Sequence, residues 1–256
     1  MLTAPVTRAG PGGRPFPGRV DRLRVAAPWV WTGLCAAVVP TNGSLRDYVT
    51  GNAPSVMNVP TPSRDARGEV MSFTGLVQAN QDFANNGNHN RAVDALTVLC
   101  RWRATATNAT SQSGIFSKQA TGTTNTWLIY TDAAVNTSAV RFGLNIGGTT
   151  TTSGASAALP TTAFTNIWIR WQTTQTATAT YLTDSGTVAA ASVATAALTG
   201  ALTYTTPGAL RIGGLETVAR TSAGGDFSLG MVWNRRLSDQ EMYSVTFDPF
   251  GFLRRA

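Results

Sequence analysis

Charged side chains are scarce in this sequence of 256 residues. They make up 13% of the chain, about half of the share found in an ordinary soluble domain. Since 43% of the residues are hydrophobic, a large core can form, and Thr, Ser, Asn, Gln and Gly must cover most of the surface. This composition suits an exposed, protease-resistant β-protein better than a cytosolic helical enzyme. The length allows one large β-domain or two small ones.

Histidine and cysteine are almost absent, which excludes several kinds of site. The single histidine, His89, rules out any site that needs two histidines, and its Asn-rich neighbours indicate a solvated loop. The two cysteines, Cys35 and Cys100, are too few for a structural zinc site or for the disulfide framework of a small secreted domain. Because both lie in apolar strand patterns, buried free thiols are favoured, and a single bridge between them is the alternative.

No hydrophobic run is long enough to cross a membrane. The apolar stretch at residues 25–39 follows an Arg-rich segment and in that respect resembles a signal peptide. It is interrupted by Pro28, Thr32 and Gly33, and it is too short to span a bilayer. The sequence predicts a buried strand here, and we expect no membrane partner.

Lysine is also rare, so the positive charge comes from arginine. The net charge is +7, with 19 arginines and one lysine. Five arginines lie near the N-terminus among prolines and glycines that prevent helix and sheet: Arg8, Arg14, Arg19, Arg22 and Arg24. We interpret residues 1–26 as an extended anchoring arm. A GC-rich genome, which favours arginine over lysine, is an alternative explanation of the excess.

The composition of this arm favours docking on a protein over binding to nucleic acid. Nucleic-acid binding usually combines basic residues with stacking aromatic rings, and the arm contains only Phe16. A Pro-rich extended segment loses little entropy when it docks along a neighbouring subunit. We therefore expect the arm to contact other proteins of an assembly.

Short strand patterns follow one another from residue 27 onwards. Apolar side chains alternate with Arg101 and Arg103 in residues 96–104, and Ile167, Ile169 and Trp171 share one face of another strand. Residues 184–186 form the turn of a hairpin. Many short strands at a spacing of about 8–12 residues, with almost no helix, predict an all-β sandwich or jelly roll.

The segment at residues 225–242 predicts a last strand that leads directly into a helix. Ser238 is a good N-cap, and Glu241 follows three residues later in the capping-box pattern. Apolar residues alternate with small or polar ones before this cap, as in a strand with one buried face: Phe227, Leu229, Met231 and Trp233.

Taken in order, several motifs resemble those of the laminin-G-like, concanavalin A-like lectin and glucanase superfamily, in particular its versions in tailed-phage structural proteins. The similar segments are residues 46–52, 73–75, 114–118, 168–171, 181–186, 210–214 and 231–241. The last segment is the most specific, and the series covers about residues 27–250. The resemblance implies a concanavalin A-like jelly-roll β-sandwich over residues 27–256, with the arm before it and a short C-terminal helix. Residues 73–75 lack the family's acidic residue and residues 168–171 lack its histidines, which weakens any inherited ligand site.

The resemblance also raises an enzymatic alternative, because the superfamily includes glucanases with paired carboxylates on one strand face. Neither Glu69 nor Glu216 has a carboxylate two residues away, and Glu241 is explained by the capping box. We therefore expect a protein that is not an enzyme and needs no cofactor. A glucanase-like activity is the least favoured alternative.

Two kinds of ligand remain open. Some laminin-G-like domains hold Ca²⁺ at the rim of the sandwich, and the loop near His89 offers suitable oxygen atoms; a polar loop is still favoured, because Asp82 is the only charged residue among Asp82, Asn85, Asn86, Asn88 and Asn90. Trp168 alternates with the core residues of its strand and is predicted to face outward or into a partner, where it could stack on a sugar. The predicted ligand or partner surface comprises Trp168, Asp82, Asn86 and His89.

We expect a virion structural protein of a tailed phage or phage-like particle. A capsid decoration role comes first, with the arm bound to the major capsid protein, and a tail or fibre role with tail-protein partners comes second. Proteins of this class also imply a homo-oligomer, with a trimer as the first expectation. The main alternative is a carbohydrate-binding adhesin that recognises a glycan on the host surface.

Overall fold

The computed structural model describes residues 28–58, 60–65, 68–74, 80–105, 113–121, 124–131, 138–204, 208–214 and 223–251. The predicted anchoring arm, with Arg8, Arg14, Arg19, Arg22 and Arg24, lies outside these residues. The first strands are β1 (Leu34–Thr41), β2 (Ser44–Asp47), β3 (Val56–Asn58), β4 (Thr61–Asp65), β5 (Gly68–Thr74), β6 (Asn80–Phe83), β7 (Ala95–Ala104) and β8 (Ser113–Thr121). The others are β9 (Thr124–Thr131), β10 (Val140–Ile146), β11 (Thr149–Thr152), β12 (Thr165–Gln172), β13 (Gln175–Thr183), β14 (Val188–Leu198), β15 (Leu210–Ile212) and β16 (Gly224–Trp233). One helix, α1 (Asp239–Phe247), follows β16 in this part of the chain, and Pro28–Trp31 and Gly87–Asn90 form 3-10 turns.

The strands form two antiparallel sheets. The first has nine strands, with the order β14-β13-β12-β7-β16-β1-β2; β5 pairs with β16 beside β1, and β4 pairs with β5. The second has seven strands in the order β11-β10-β9-β8-β15-β6-β3. This arrangement confirms the predicted β-sandwich, including the hairpin of β13 and β14 around residues 184–186.

The main core lies between the two sheets. It contains the apolar faces predicted for β7 and β12, with Leu96, Val98 and Ile167 fully buried. In the seven-stranded sheet, Phe116 meets the Trp127 ring edge-on, with 5.0 Å between ring centroids. Contacts of this kind add to the stabilisation that aromatic burial provides.

A second hydrophobic cluster covers the outer face of the nine-stranded sheet. The helix α1 contributes Met242 and Val245, and the 3-10 turn Pro28–Trp31 contributes Val30. They pack on Trp168 and Trp233, whose rings stack with 6.0 Å between centroids. This sheet is therefore buried on both faces along its central strands.

The last strand differs from its prediction. Phe227 faces the main core, whereas Leu229, Met231 and Trp233 face the cluster beneath α1. The pairing of β16 with β7 shifts between Phe227 and Leu229, so Ser228 is an extra residue that reverses the alternation. The predicted single buried face is wrong, since all ten residues of β16 are buried.

The junction between β16 and α1 confirms the capping box. The Ser238 hydroxyl accepts a hydrogen bond from the backbone N–H of Glu241 at 3.2 Å, and the Glu241 carboxylate accepts one from the N–H of Ser238 at 2.8 Å. Arg235 joins this cap to the 3-10 turn, because its guanidinium binds Glu241 at 2.8 Å and donates to the carbonyl of Trp29 at 2.9 Å. Arg235 thus links the 3-10 turn at the beginning of the described chain to the helix cap near its end.

Cys35 and Cys100 are both buried free thiols in the main core, as the apolar pattern predicted. Among the described residues, no helix is long and apolar enough to span a membrane.

Candidate ligand-binding face

Asp82 lies on the outer face of the seven-stranded sheet, in an ion pair with Arg211. Nε and Nη2 of Arg211 each donate to one carboxylate oxygen of Asp82 at 2.6 Å. The side-chain amide of Asn80 donates to the same carboxylate at 2.7 Å. Both residues of the pair are mostly buried, with 10% and 15% of their side chains exposed. A bidentate pair of this kind fixes the orientation of both groups.

The strand register extends this pair into a row across the sheet. Arg211 pairs with Ser117 of β8, Ser117 with Leu128 of β9, and Leu128 with Gly143 of β10. A Cβ atom at residue 143 would lie 2.6 Å from Cδ2 of Leu128, so a larger residue there would require the Leu128 side chain to move. Tyr130 and Asn145 lie on opposite sides of this row, and both point outward because side chains two apart on a strand share a face.

Two polar groups on this face have no hydrogen-bond partner within the described part of the chain. They are the Ser117 hydroxyl, which is fully buried, and the Oδ1 atom of Asn145, in a residue that is 4% exposed. Leu128, the strand partner of Ser117, forms a small apolar cluster with Tyr130. Buried polar groups without partners are rare in native proteins and often mark a place for water or a ligand. We define the ligand-binding face as Asp82, Arg211, Ser117, Leu128, Tyr130 and Asn145.

This combination of groups suits a ligand rich in hydroxyls. The Ser117 hydroxyl can donate and accept, Asn145 Oδ1 accepts, and Arg211 supplies a fixed cation. Leu128 and Tyr130 are 7% and 2% exposed, so they offer a ligand little apolar surface. Sequence reasoning identified only Asp82 of this set, since the alternation of Arg211 with Leu210 and Ile212 gives its face but not its neighbours.

Asn86 and His89 lie apart from this face, in the loop after β6. Asn86 caps the 3-10 turn by accepting a hydrogen bond from the N–H of His89 at 3.1 Å. His89 is 2% exposed, so the predicted solvated loop histidine is wrong. Its Nε2 atom lies 2.9 Å from the carboxylate of Asp47, and both side chains are fully buried.

Asp47 belongs to the motif at residues 46–52, and its contacts explain why that motif is needed. Its carboxylate accepts hydrogen bonds from the N–H groups of Ala37 and Val49 and from the hydroxyl of Thr50, in addition to its contact with His89. Burial alone would raise the pKa of Asp47, but the hydrogen bonds from His89, Ala37 and Thr50 outweigh it and hold the pKa below its usual value. The cluster of Asp47 and His89 joins β1 to the loop before β7 and is structural.

Of the oxygen atoms proposed for calcium, those of Asp82, Asn85 and Asn86 accept from donors of the protein, whereas Asn90 Oδ1 is buried without a partner. Asn85 Oδ1 accepts from Lys118 Nζ and from the amide of Asn90, both at 3.0 Å, while Asp82 is paired with Arg211. Within the described ranges, no group of three acidic, histidine or cysteine side chains is placed to hold a metal ion.

Trp168 does not form an exposed platform. It lies on the outer face of the nine-stranded sheet as the alternation predicted, but it is fully buried. The helix α1 covers it, and its indole N–H donates to the hydroxyl of Thr246 at 2.9 Å. The prediction that Trp168 faces solvent or a partner is therefore wrong, because a helix 78 residues later in the chain occupies that position.

A separate polar cavity of about 340 Å³ lies between the β1–β2 turn and the β4–β5 hairpin. Its lining comprises Asn42, Gly43, Pro62, Ser63, Arg64 and Glu69. Arg64 and Glu69 face each other at 3.9 Å, and the cavity contains no aromatic ring.

The chain matches no protein-family model and no curated protein, but its structure is similar to several solved structures. Trypanosoma rangeli sialidase in complex with sialic acid matches with a TM-score of 0.60 and 13% identity, over 96% of this chain and 36% of the sialidase. The binding domain of Paraclostridial Mosquitocidal Protein 1 matches with a TM-score of 0.60 and 8% identity, over 85% of this chain and 52% of that chain. The receptor binding domain of botulinum neurotoxin type G matches with a TM-score of 0.58 and 9% identity, over 84% and 51%.

The chain thus spans between about one third and one half of the length of these structures. At such low identities the likeness concerns the fold, an all-β sandwich consistent with the concanavalin A-like resemblance. The resemblance to tailed-phage versions of that superfamily stays a prediction.

The expectation that the chain is not an enzyme is contradicted at the level of the fold. Sialidases are enzymes, and T. rangeli sialidase shares this fold over 98% of the chain at 14% identity. The expectation depended on the lack of a carboxylate pair in the sequence. Sialidases use a tyrosine nucleophile and do not follow the paired-carboxylate scheme, so this criterion does not apply to them. Missing carboxylate pairs therefore do not exclude an enzyme on this fold.

Proposed function

We propose that this chain is a glycan-binding module carried on the surface of a virion. The observation that supports glycan binding is the ligand-binding face, where the Ser117 hydroxyl and Asn145 Oδ1 are buried without partners on the two strands that flank Leu128. A glycan offers hydroxyl groups that can pair with both polar atoms.

The energetics of the face support the same conclusion. A buried polar group without a partner costs about 1–3 kcal/mol, so Ser117 lowers the stability of the unliganded chain. A loss of stability of this kind is retained where the polar group is needed to bind a ligand. The ion pair of Asp82 and Arg211 is rigid and needs no rearrangement before it receives a polar ligand.

The names of the similar structures agree with a binding role. One is a sialidase in complex with sialic acid, and two others are the binding domain and the receptor binding domain of toxins. Those ligands belong to those proteins; for this chain the proposed ligand is a glycan of the host surface.

A pair of matched serine variants tests the proposal. Wild type is screened on a glycan array, and the affinity for a glycan that it retains is measured by calorimetry. We expect Ser117→Ala to weaken binding about fivefold, which corresponds to the loss of one hydrogen bond of about 1 kcal/mol. Thermal stability should be unchanged or higher, because the variant removes an unpartnered hydroxyl.

The control is Ser63→Ala, the same chemical change in the separate polar cavity, and it should bind as wild type does. A wild type that retains no glycan contradicts the proposal. An affinity loss in Ser63→Ala alone would place the ligand in the polar cavity instead.

The virion role is supported by the anchoring arm and by the sequence resemblance. Five arginines and one aspartate, Asp21, give residues 1–26 a charge of +4 out of the total of +7. An extended basic segment of this kind is suited to docking on an acidic protein surface. Copy number measured by quantitative mass spectrometry of purified particles distinguishes capsid decoration, with hundreds of copies, from a tail tip with a few. Deletion of residues 1–26 should abolish incorporation, and unchanged incorporation would contradict the proposed anchoring.

A further inference from the structure

The single lysine of the chain, Lys118, is fully buried in β8. It pairs with Leu210 of β15, which pairs with Phe83 of β6, and on its other side it pairs with Trp127 of β9. All three partners belong to the main core. Because residues directly opposite one another on neighbouring strands share a face, the Lys118 side chain points between the two sheets and away from the ligand-binding face.

The amino group of Lys118 has no carboxylate partner in the described part of the chain. Its Nζ atom donates to the backbone carbonyl of Gly208 and, at 3.0 Å, to Oδ1 of Asn85. A fully buried lysine is rare unless it is paired with an opposite charge, because the ammonium loses its hydration. Burial accordingly lowers the pKa of Lys118 to about 8. The neutral amine, which is the nucleophilic form, is therefore more populated at neutral pH than in an exposed lysine.

The side-chain carbonyl of Asn85 is oriented and polarised by two donors. Besides Lys118 Nζ, the amide of Asn90 donates to Oδ1 of Asn85 at 3.0 Å. A fixed donor in this position stabilises the negative charge that develops on a carbonyl oxygen when a nucleophile adds to its carbon. Asn85 is exposed, which gives a leaving molecule access to solvent. An amine and an amide carbonyl are thus held together, so a reaction between them needs no encounter step.

We propose that Lys118 and Asn85 form an intramolecular isopeptide bond. The neutral amine of Lys118 adds to Cγ of Asn85, and a proton passes from the attacking nitrogen to the leaving nitrogen. The Cγ–Nδ2 bond then breaks and ammonia leaves, while a new amide bond between Nζ and Cγ remains. Atoms and charges balance, since one amine and one primary amide give one secondary amide and one ammonia.

The isopeptide bond removes an unfavourable feature of the fold. It converts a buried cation into a neutral amide, which abolishes the desolvation cost of the ammonium. The new amide N–H can still donate to the carbonyl of Gly208. The bond also joins two residues that are 33 apart in sequence, and a cross-link of this kind restricts the unfolded chain as a disulfide does. Both cysteines are free, so no disulfide supplies such a link.

Mass spectrometry of the full 256-residue chain tests the bond directly. We expect the intact mass to be lower than that of the sequence by one molecule of ammonia. Trypsin should not cleave after Lys118, because the modified side chain is no longer a cation. It should instead release a branched peptide that joins residues 68–91 to residues 104–141. Fragmentation of this peptide should place the link at Asn85, which distinguishes it from loss of ammonia elsewhere in the chain.

Two substitutions remove one reacting group each. Lys118→Met lacks the amine and keeps a long side chain suited to the core, and Asn85→Ala lacks the amide. Both should have the full mass of their sequence and unfold at a lower temperature than wild type. The control is Asn88→Ala, which changes the same loop at a residue that Lys118 does not bind, and it should retain the branched peptide. Circular dichroism establishes that the variants are folded.

A wild-type chain with the full mass of its sequence and normal cleavage after Lys118 would overturn the proposal. A link from Lys118 to another residue, or a branched peptide that persists in Asn85→Ala, would also overturn it. If a variant fails to fold, the wild-type mass and the branched peptide still decide the question. The measurement needs no glycan, so its outcome is independent of the proposed ligand-binding face.

Discussion

At the scale of single residues, the buried charge of Asp47 is stabilised by several donors that converge on it. The carboxylate of Asp47 has four such contacts, from two backbone N–H groups, Thr50 and His89. It is fully buried, and a buried charge of this kind becomes costly when its donors cannot be used. Asp47 and His89 therefore stabilise the described fold.

Replacement of Asp47 by asparagine should destabilise the protein in a pH-dependent way. We expect Asp47→Asn to lower the free energy of unfolding by about 2–4 kcal/mol at neutral pH. The pKa of Asp47 is lowered in the folded chain, so its contribution is complete above the unfolded pKa of about 3.9 and is lost as the pH falls through the lower folded value. Urea unfolding at pH 7 and below pH 4 should show the difference from wild type narrow as the pH falls.

Asp94→Asn is the control for this prediction, since Asp94 is exposed and its variant should unfold like wild type at each pH. A constant difference between Asp47→Asn and wild type across the whole pH range would contradict the assigned role of the carboxylate.

Residue types and alternation predicted which way many side chains point but not what covers them. The face of Trp168 was predicted correctly, yet its exposure was wrong because Thr246 of α1 lies above it. His89 was assigned to solvent because its neighbours in sequence are polar, and it is buried because Asp47 reaches it across 42 residues. The row of Arg211, Ser117 and Leu128 depends on strand register, which no local pattern determines.

At the scale of elements, the junction of β16 and α1 combines one correct prediction and one error. The capping box was readable because all its groups lie within four residues of sequence. The bulge at Ser228 was not, since an extra residue shows only against its partner strand β7. Two further contacts stabilise the junction. The hydroxyl of Thr97 accepts a hydrogen bond from the N–H of Leu237, and Arg235 binds the carboxylate of Glu241.

Loss of the helix cap should have a moderate effect on stability. We expect Ser238→Ala to lower the free energy of unfolding by about 1 kcal/mol, because the N–H of Glu241 loses its acceptor. Ser244→Ala is the matched control on the same helix: its hydroxyl donates only to the carbonyl of Gln240, and alanine favours the helix. Chemical unfolding followed by circular dichroism measures both, and an equal effect of the two variants would contradict the role of the cap.

At the scale of the whole molecule, the scarcity of lysine has a structural counterpart. Described arginines pair with carboxylates through their guanidinium groups, as in Arg211 with Asp82 and Arg101 with Asp184. The planar guanidinium binds both carboxylate oxygens at once, which lysine cannot do. This use in ion pairs accounts for several arginines of the sandwich, whereas genome composition and the arm stay as explanations for the others.

The two buried thiols provide a test of whether the sandwich opens as one unit. Cys35 lies in β1 and Cys100 in β7, two strands that flank β16 in the nine-stranded sheet. Burial raises the pKa of the Cys35 thiol to about 12 and also raises that of Cys100. Because the thiolate is the reactive form, neither cysteine should react with a thiol reagent at pH 8 while the chain is folded.

We expect both cysteines to be labelled at one common rate that follows global unfolding, since β1, β16 and β7 share the main core. Single variants Cys35→Ser and Cys100→Ser allow each rate to be measured separately, with the urea-unfolded chain as the reference for intrinsic reactivity. Faster labelling of Cys35 alone would mean that β1 separates from β16 before the rest of the sheet. The contacts of Arg235 with Trp29 and of Trp233 with Val30 then would not hold the first strand as firmly as their geometry indicates.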